Sequence, residues 1–283
     1  QPAAGMVIGG WDRVNAGGEI VRAERPWLHH PRPELKDWLF AAMAHVAAVL
    51  IRREWFDTVS GFDETLEQAE DTHLWFKLAQ AACPFVWLTQ PVFRQRLHEA
   101  NSVRNLAQAR QGKLAMLDKV FSRPDVASDL SMSRESAYAR VYMGFACVAY
   151  AAGNTDEGSA DLAQAVKLDP TLLDRDADRL LESVAAYAWN HMTADPEAFT
   201  NRVFDNLPDE LSGLQTLQQR ALARSWMVGA FRAHQLRDHS KAKRNALRAV
   251  AADPRSILNR GLMSILAQSF LRVQRYPEPG AYA

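Results

Sequence analysis

The chain has 283 residues, of which 48% are hydrophobic and 23% are charged, proportions that are ordinary for a globular protein. Its 33 lysines and arginines balance its 33 aspartates and glutamates, so no net field favours nucleic acid or an anionic membrane surface. Cys83 and Cys147 are too few for a disulfide framework, which makes a reducing compartment the simpler interpretation. The longest apolar run, Leu39 to Ile51, is too short to span a bilayer.

The first 110 residues have mixed α/β character, with glycine and proline punctuating short apolar segments. Val7 and Ile8 predict a strand, and the sequence NAGGEI that follows predicts a hairpin turn into another strand. Because the edges of such strands need partners, we expect a further part of the fold to precede Gln1. A loop rich in proline then leads into a helix near Glu34.

The next segments alternate between predicted strands and short helices. Residues 47–52 predict a buried strand, and a short helix and a turn at Gly61 follow it. His45 lies in the apolar run before this strand, where a hydrogen-bonded core histidine is more common than a ligand. Residues 85–88 predict another strand, and we expect a turn and a second, alternating strand from Val92 onward.

Two acidic pairs lie between these strands, in the sequence GFDETLEQAEDTHLWFKLA of residues 61–79. The pairs occupy positions 63–64 and 70–71, and an apolar helical pattern follows the second pair. Acidic residues in the first turn of a helix complement its dipole by about 0.3–1 kcal/mol, so an ordinary helix start is one interpretation. The other interpretation is a catalytic base held over a substrate pocket.

The order of these segments resembles that of the family-2 glycosyltransferases with a GT-A fold. In that family, a segment of the form G-F-D-E … E-D … L-W-x-x-L-A carries an aspartate at a helix start, which deprotonates the acceptor hydroxyl while the sugar leaves a nucleoside diphosphate. The resemblance covers roughly residues 7–105 and implies that Asp71 is this base and that Glu70 supports it. Inverting transfer needs one such carboxylate within hydrogen-bond reach of the attacking hydroxyl.

The resemblance also implies five substrate-binding residues: Asp63, Trp75, Arg96, His98 and Ser102. Trp75 is suited to stacking on a sugar ring, although packing in a core explains it equally well. The other candidates after the second strand belong to the sequence RLHEANS, which in relatives lies near the diphosphate or closes over the donor. A solvated loop after an edge strand is the alternative for that sequence.

The chain departs from the family before Gly61. Family members bind the nucleotide sugar there through alternating strands and helices, and an Asp-x-Asp holds a divalent metal against the diphosphate. We therefore expect Mn²⁺ or Mg²⁺ only in a longer parent protein, with no metal residue in this chain. The acidic residues of segment 174–178 match the letters of that motif, but a helix start is the simpler interpretation.

From residue 111 onward, glycine becomes rare and alanine and leucine recur at helical spacing. Residues 135–170 predict two helices joined by a Gly-Asn turn and ended by proline, and residues 224–254 repeat this layout. Pro170 and Pro254 are 84 residues apart (254 − 170), which is not a multiple of about 34, so we expect a short helical array rather than a long solenoid. The first pair resembles a tetratricopeptide repeat, whose spacing is matched by Tyr142, Phe145, Ala146, Gly153, Leu162, Ala165 and Pro170.

The sequence thus predicts two regions. Residues 1–110 form an α/β region, the acceptor-side part of a GT-A-like domain. Residues 111–283 form an all-α region of helical hairpins that resemble tetratricopeptide repeats (TPR-like). The first hypothesis is a hexosyltransferase whose parent protein moves a sugar, with inversion, from a nucleotide-sugar donor to a saccharide or other hydroxyl acceptor. In that case this chain lacks the donor site, and the resemblance implies a location in the cytoplasm or at the cytoplasmic face of the membrane. The alternative is a non-catalytic module whose helical region binds a protein partner. Neither hypothesis involves nucleic acid or a transmembrane segment.

Overall fold

The structure is a computed structural model that describes residues 3–41, 43–97, 106–124, 126–190 and 193–272. The chain forms two compact units, Gln1–Val141 and Tyr142–Ala283. The first unit combines a small sheet with helices, and the described residues of the second unit form helices and their connections. The chain is therefore mixed α/β, as predicted, whereas the predicted division after residue 110 stays a prediction.

A four-stranded sheet is the centre of the first unit. Strand β1 (Met6–Val14) is the strand to which the three others pair. One edge of β1 pairs antiparallel with β2 (Ile20–Glu24) through its second half and with β3 (Val49–Ile51) through its first half. The other edge pairs in parallel with β4 (Phe85–Arg96) along the whole length of β1.

The predicted hairpin between β1 and β2 is confirmed. The backbone N–H of Asn15 donates to the carbonyl of Glu19, and that of Gly18 donates to the carbonyl of Asn15, both at 3.0 Å. Gly18 has a φ of 86°, in the left-handed region that glycine enters without steric cost. The turn chemistry of NAGGEI therefore predicted this connection correctly.

Two predicted strands differ from the structure. The segment expected to form strand, turn and strand is the single strand β4, with a register irregularity opposite Gly9 and Gly10. Pro91 has no N–H to donate to the ladder, and the strand accommodates it as a bulge rather than reversing direction. The predicted strand 47–52 is shorter than expected, because a 3₁₀ helix, Val46–Ala48, occupies its start.

In the described part of the first unit, six α-helices and the start of a seventh accompany the sheet, and the predicted helix near Glu34 begins at Asp37. Leu74 and Leu78 of α4 are fully buried against the sheet, as their helical spacing predicted. The helices are α1 (Pro26–His29), α2 (Asp37–Phe40), α3 (Arg53–Thr58), α4 (Glu70–Gln80), α5 (Leu106–Phe121) and α6 (Val126–Leu130).

The described part of the second unit consists of α-helices joined in part by 3₁₀ helices. Two of these α-helices, residues 174–187 and 196–205, lie between the two predicted helical pairs. The α-helices are α7 (Arg134–Ala152), which begins in the first unit, α8 (Thr155–Leu168), α9 (Asp174–Tyr187), α10 (Pro196–Asp205), α11 (Gln218–Gln235), α12 (His239–Ala252) and α13 (Arg260–Arg272). The 3₁₀ helices are Pro170–Leu173, Asp209–Leu217 and Pro254–Leu258.

One local layout occurs twice in the second unit. Helices α8 and α12 each follow a turn with a left-handed residue, Gly153 (φ 88°) and Arg237 (φ 61°). Each helix ends at an Asp-Pro pair, and Asp169 and Asp253 cap the 3₁₀ helix that follows. Their carboxylates accept from the backbone N–H two residues further on, at 3.2 and 3.1 Å. The sequence repetition of 84 residues is thus also a repetition of backbone conformation.

Two hydrophobic clusters lie in the core of the described part of the second unit. One includes buried residues from Met143 to Ala221, and the other includes buried residues from Trp226 to Leu266. The side chain of Trp189 packs against both clusters. Its indole Nε1 donates to the carbonyl of Ser225 at 2.6 Å.

Gly229, in α11, lies against Trp189 so closely that no side chain fits. A Cβ at Gly229 would lie 2.0 Å from Cζ2 of Trp189, and that ring is held by its hydrogen bond and by edge contact with Trp226 at 5.9 Å. Gly229→Ala would gain about 1 kcal/mol of helix propensity, but overpacking costs about 1–3 kcal/mol or more. We expect a net loss of up to about 2 kcal/mol in the free energy of unfolding, measured by urea denaturation.

Gly144, in α7, provides the matched control for that substitution. Among the described residues, no atom outside its own helix backbone lies within 4 Å of the position that its Cβ would occupy. Gly144→Ala is therefore expected to stabilise the protein by up to about 1 kcal/mol through helix propensity alone. Equal effects of the two substitutions would contradict the steric explanation.

Candidate functional site

Asp71 and Glu70 lie in the first turn of α4, and both are half-buried. Oδ1 of Asp71 accepts from the backbone N–H of Thr72 at 2.6 Å and from its hydroxyl at 3.3 Å. The first N–H groups of a helix have no partner within the helix, so this carboxylate satisfies one of them. The position fits both the helix-start interpretation and a fixed, half-buried carboxylate that solvent still reaches.

The backbone before α4 is held in an unusual conformation. Ala69 is left-handed, with a φ of 60°, and its side chain cannot cap the helix. Gly61 is also left-handed, and a Cβ there would lie 2.7 Å from the ring of Phe56. Nζ of Lys77 donates to the carbonyls of Val59 and Gly61 at 2.8 and 2.7 Å, which ties the turn to α4. Left-handed non-glycine residues are strained and are enriched at functional sites.

Asp63, implied as a substrate-binding residue, is held within the same loop. Its carboxylate accepts from the backbone N–H of Thr65 at 3.0 Å and from the Thr65 hydroxyl at 2.6 Å. Lys119 forms an ion pair with it at 3.1 Å. These contacts hold the pKa of Asp63 well below its usual range, with the Thr65 hydroxyl as the largest cause. Asp63 therefore stabilises the loop that leads to α4.

Helix α5 contributes Lys113 to the surroundings of Asp71. Nζ of Lys113 donates to the hydroxyl of Thr72 at 3.1 Å and approaches the carbonyl of Leu39 at 3.4 Å. Burial lowers the pKa of Lys113 to about 8, and the carboxylate of Asp71 acts in the opposite direction. The ammonium group is thus electrostatically coupled to Asp71 and linked to it through Thr72.

Sequence reasoning missed both lysines of α5. Lys113 and Lys119 are six residues apart, which places them about 240° apart around a helix, so they share no periodic face. A lysine in an alanine- and leucine-rich helix normally extends into solvent. No local signal distinguishes these two, because their partners lie more than 40 residues earlier in the chain.

His45 interacts electrostatically with the Asp71 carboxylate, and its ring lies among aromatic side chains. Its ring lies 4.7 Å from that of Phe93 and 5.6 Å from that of Trp11, and its Nε2 is 3.5 Å from Nε2 of Gln95. Burial lowers the pKa of His45, and the carboxylate of Asp71 partly offsets this effect. His45 is half-buried rather than enclosed in the core. We name the following residues the Asp71 cluster: His45, Asp71, Thr72 and Lys113.

The remaining implied site residues lie elsewhere or are not described. Trp75 is only 4% exposed and belongs to the hydrophobic cluster beneath the sheet, so its ring faces are covered by protein. Arg96 is the exposed last residue of β4, and it donates to the carbonyl of Ala16 at 2.7 Å. His98 and Ser102 lie outside the described residues.

Two of the acidic residues at 174–178, Asp176 and Asp178, pair with arginines within the second unit. Arg220 pairs with Asp176 at 3.1 Å and with Asp178 at 2.7 Å, and Arg224 also donates to Asp178. The backbone at residues 175–177 is left-handed, so regular helix geometry begins only after them. These carboxylates serve as ion-pair partners that join α9 to α11.

Two further observations concern metals and membranes. Within the described ranges, no three side chains of His, Cys, Asp or Glu are grouped so that they could hold a metal ion. The helices of the described part of the chain are each too short or too polar to cross a bilayer.

Comparisons with known protein families, with curated proteins and with solved structures give no match to this chain. The functional argument therefore depends on the residues and the geometry of the chain itself.

A buried histidine and a half-buried one predict a pH dependence of stability in the first unit. His73 is 8% exposed, and burial lowers its pKa, as it does for His45. When the folded pKa lies below the unfolded one, stability is fully present above the unfolded value, near 6.5, and is lost as the pH falls through the folded value. We expect the urea midpoint to fall between pH 7 and pH 5, and His73→Leu to reduce this fall.

His29, which is exposed on α1, provides the control for this measurement. The same substitution there, His29→Leu, is expected to leave the pH dependence as it is in the unmodified protein. Protonation of Asp63 also lowers stability, but only below the unfolded pKa of that carboxyl, near 3.8. This effect therefore does not overlap the range from pH 7 to pH 5. An unchanged pH dependence in His73→Leu would contradict the assignment to His73.

Proposed function

We propose that this chain carries the acceptor side of an inverting, family-2-type glycosyltransferase in which Asp71 is the general base. The observation that carries the proposal is the placement of Asp71, a half-buried carboxylate in the first turn of α4 that is held by Thr72. His45 and Lys113 lie close enough to interact electrostatically with it. A general base must be fixed in this way and still be reachable by the proton that it abstracts.

In the proposed reaction, Asp71 takes the proton of an acceptor hydroxyl as its oxygen attacks the anomeric carbon of the donor. The bond from that carbon to the nucleoside diphosphate breaks on the opposite face, so the configuration inverts. The positive end of α4 and the hydroxyl of Thr72, to which the ammonium of Lys113 donates, hold the Asp71 carboxylate in place. Mn²⁺ or Mg²⁺ would neutralise the leaving diphosphate in a longer parent protein, and no described residue of this chain is assigned to hold it.

The proposal extends to the finer features of both units. A sheet of mixed strand direction with a helix that starts on an acidic pair supports a GT-A-like fold for the first unit. The repeated helical hairpins that end at Asp-Pro support TPR-like packing in the second unit. In this proposal the helical unit presents a partner or the acceptor to the enzyme, on the cytoplasmic side of the membrane.

The test is an assay for nucleoside diphosphate release by the full-length gene product. Uridine-, guanosine- and thymidine-diphosphate hexoses are supplied with Mn²⁺ or Mg²⁺, with and without a panel of saccharide and alcohol acceptors. We expect release that depends on one class of acceptor, together with a product of inverted anomeric configuration. A full panel that gives no acceptor-dependent release, from a protein that is folded, would overturn the proposal.

A further inference from the structure

A chain of hydrogen bonds connects Lys113 to Asp71. Nζ of Lys113 donates to Oγ1 of Thr72 at 3.1 Å, and the Thr72 hydroxyl donates to Oδ1 of Asp71 at 3.3 Å. A hydroxyl has one proton, and an ammonium group can only donate. Because Thr72 accepts from Lys113, its own proton is directed to the carboxylate.

The position of Lys113 is set by close packing of α5 against the loop before α4. A Cβ at Gly112 would lie 2.3 Å from Cβ of Gln68, so the α5 backbone approaches this loop as closely as glycine allows. The ammonium of Lys113 lies between Thr72 and the carbonyl of Leu39, at the end of α2. The amine therefore reaches Thr72 from a fixed backbone rather than from a freely moving helix.

We propose that Lys113 is a positioning residue, which orients the carboxylate of Asp71 through the hydroxyl of Thr72. We call the hydrogen-bonded series Lys113–Thr72–Asp71 the relay. The relay rests on the contacts of this chain, whereas a role for Lys113 in catalysis rests on the proposed function. Both contacts from Thr72 reach Oδ1 of Asp71. The relay therefore fixes the rotation of the carboxylate and assigns Oδ2 as the oxygen that takes the acceptor proton.

The first test measures the relay without any substrate. The ¹³Cε resonance of Lys113 is followed by NMR as a function of pH in the whole chain, with the starting pKa expected at about 8. Asp71→Asn removes the neighbouring negative charge and is expected to lower this pKa further. Thr72→Val removes the acceptor of the ammonium and is expected to do the same, whereas Thr72→Ser restores the original value.

The control for this titration is Lys119→Met, a substitution on the same helix. Lys119 contacts Asp63 and Thr65 rather than Thr72, so the Lys113 titration is expected to remain unchanged. A Lys113 titration that is insensitive to Asp71→Asn and to Thr72→Val would overturn the relay. So would a serine variant that behaves like the valine variant, because a purely structural role does not depend on the hydroxyl.

The second test separates the relay from the proposed function. In the transfer assay, Lys113→Met and Thr72→Val are expected to lower kcat by about tenfold to a hundredfold with little change in the donor KM, and Thr72→Ser is expected to restore kcat. Transfer that needs Asp71 but is unaffected by Lys113→Met would overturn the positioning role while the proposed function stands. A relay seen by NMR in a protein without transferase activity would overturn the proposed function and the catalytic meaning of the relay, leaving only the contacts.

Discussion

Under the proposed function, replacing Asp71 with asparagine is expected to lower the rate of sugar transfer by about 10²- to 10⁴-fold, the usual contribution of a positioned general base. The amide has nearly the shape of the carboxylate, and its oxygen can still accept from the N–H and hydroxyl of Thr72. The start of α4 is therefore expected to remain intact, and the loss to appear in kcat rather than in stability. Turnover in the transfer assay and thermal unfolding of the same preparation provide the measurement.

Asp57→Asn is the matched control for this substitution. Asp57 is exposed on α3 in the same unit, so the same loss of one negative charge there is expected to leave turnover near that of the unmodified protein. Near-normal turnover of Asp71→Asn would remove Asp71 from the role of base. A large loss in both variants would show that net charge, rather than this carboxylate, limits the reaction.

Replacing Lys113 with methionine is expected to stabilise the first unit at pH 7. The pKa of the buried amine falls from 10.5 to about 8, which at about 1.4 kcal/mol per unit corresponds to a penalty of about 3 kcal/mol for the charged form. This figure is an upper bound, because part of the side chain still contacts solvent. The lost hydrogen bonds offset about 1 kcal/mol, which leaves an expected gain of about 2 kcal/mol in the free energy of unfolding.

The gain from Lys113→Met is expected to depend on pH. Between pH 8 and pH 10.5 the unfolded chain keeps the proton that the folded protein has released, so the stability of the unmodified protein rises with pH. The difference between the two proteins is therefore expected to shrink across this window, as measured by urea denaturation at pH 7, 9 and 10.5. A difference that is constant with pH would contradict burial of the amine as its cause.

Lys119→Met on the same helix should have the opposite sign. Lys119 is 42% exposed, and its ion pair with Asp63 contributes at most about 1 kcal/mol, so its loss is expected to destabilise slightly. The same substitution at two positions of one helix thus compares a buried amine that lowers stability with an exposed, ion-paired amine that raises it slightly. A residue that lowers stability beside a candidate catalytic carboxylate is the pattern expected where function and stability compete.

Much of the local structure followed from the sequence. The strand at Val7, the hairpin turn at NAGGEI and the apolar face of α4 depend on turn chemistry and periodicity, which neighbouring residues determine. The bulge at Pro91 did not follow, because the choice between a turn and a bulge depends on the strand alongside. The start of the predicted strand 47–52 forms part of a 3₁₀ helix instead, because local propensity does not decide between these two short structures.

The candidate site was predicted only in part. Asp71 and Glu70 were found through the order of their neighbours, and the structure places both at a helix start. Lys113 contacts Thr72, and both Lys113 and His45 interact electrostatically with Asp71 from other parts of the chain, where neither belongs to a recognisable motif. Such meetings depend on how the elements pack, and a single sequence carries no signal of that packing.

Trp189 couples the unfolding of the two hydrophobic clusters of the second unit. Its ring packs on both clusters, and its indole donates a hydrogen bond to α11. Helix α11 contributes residues to both clusters. Loosening one cluster therefore removes support from the other. The two clusters are therefore not energetically independent. The second unit is expected to unfold in one cooperative transition. The fluorescence of the Trp189 indole should report the loss of both clusters together.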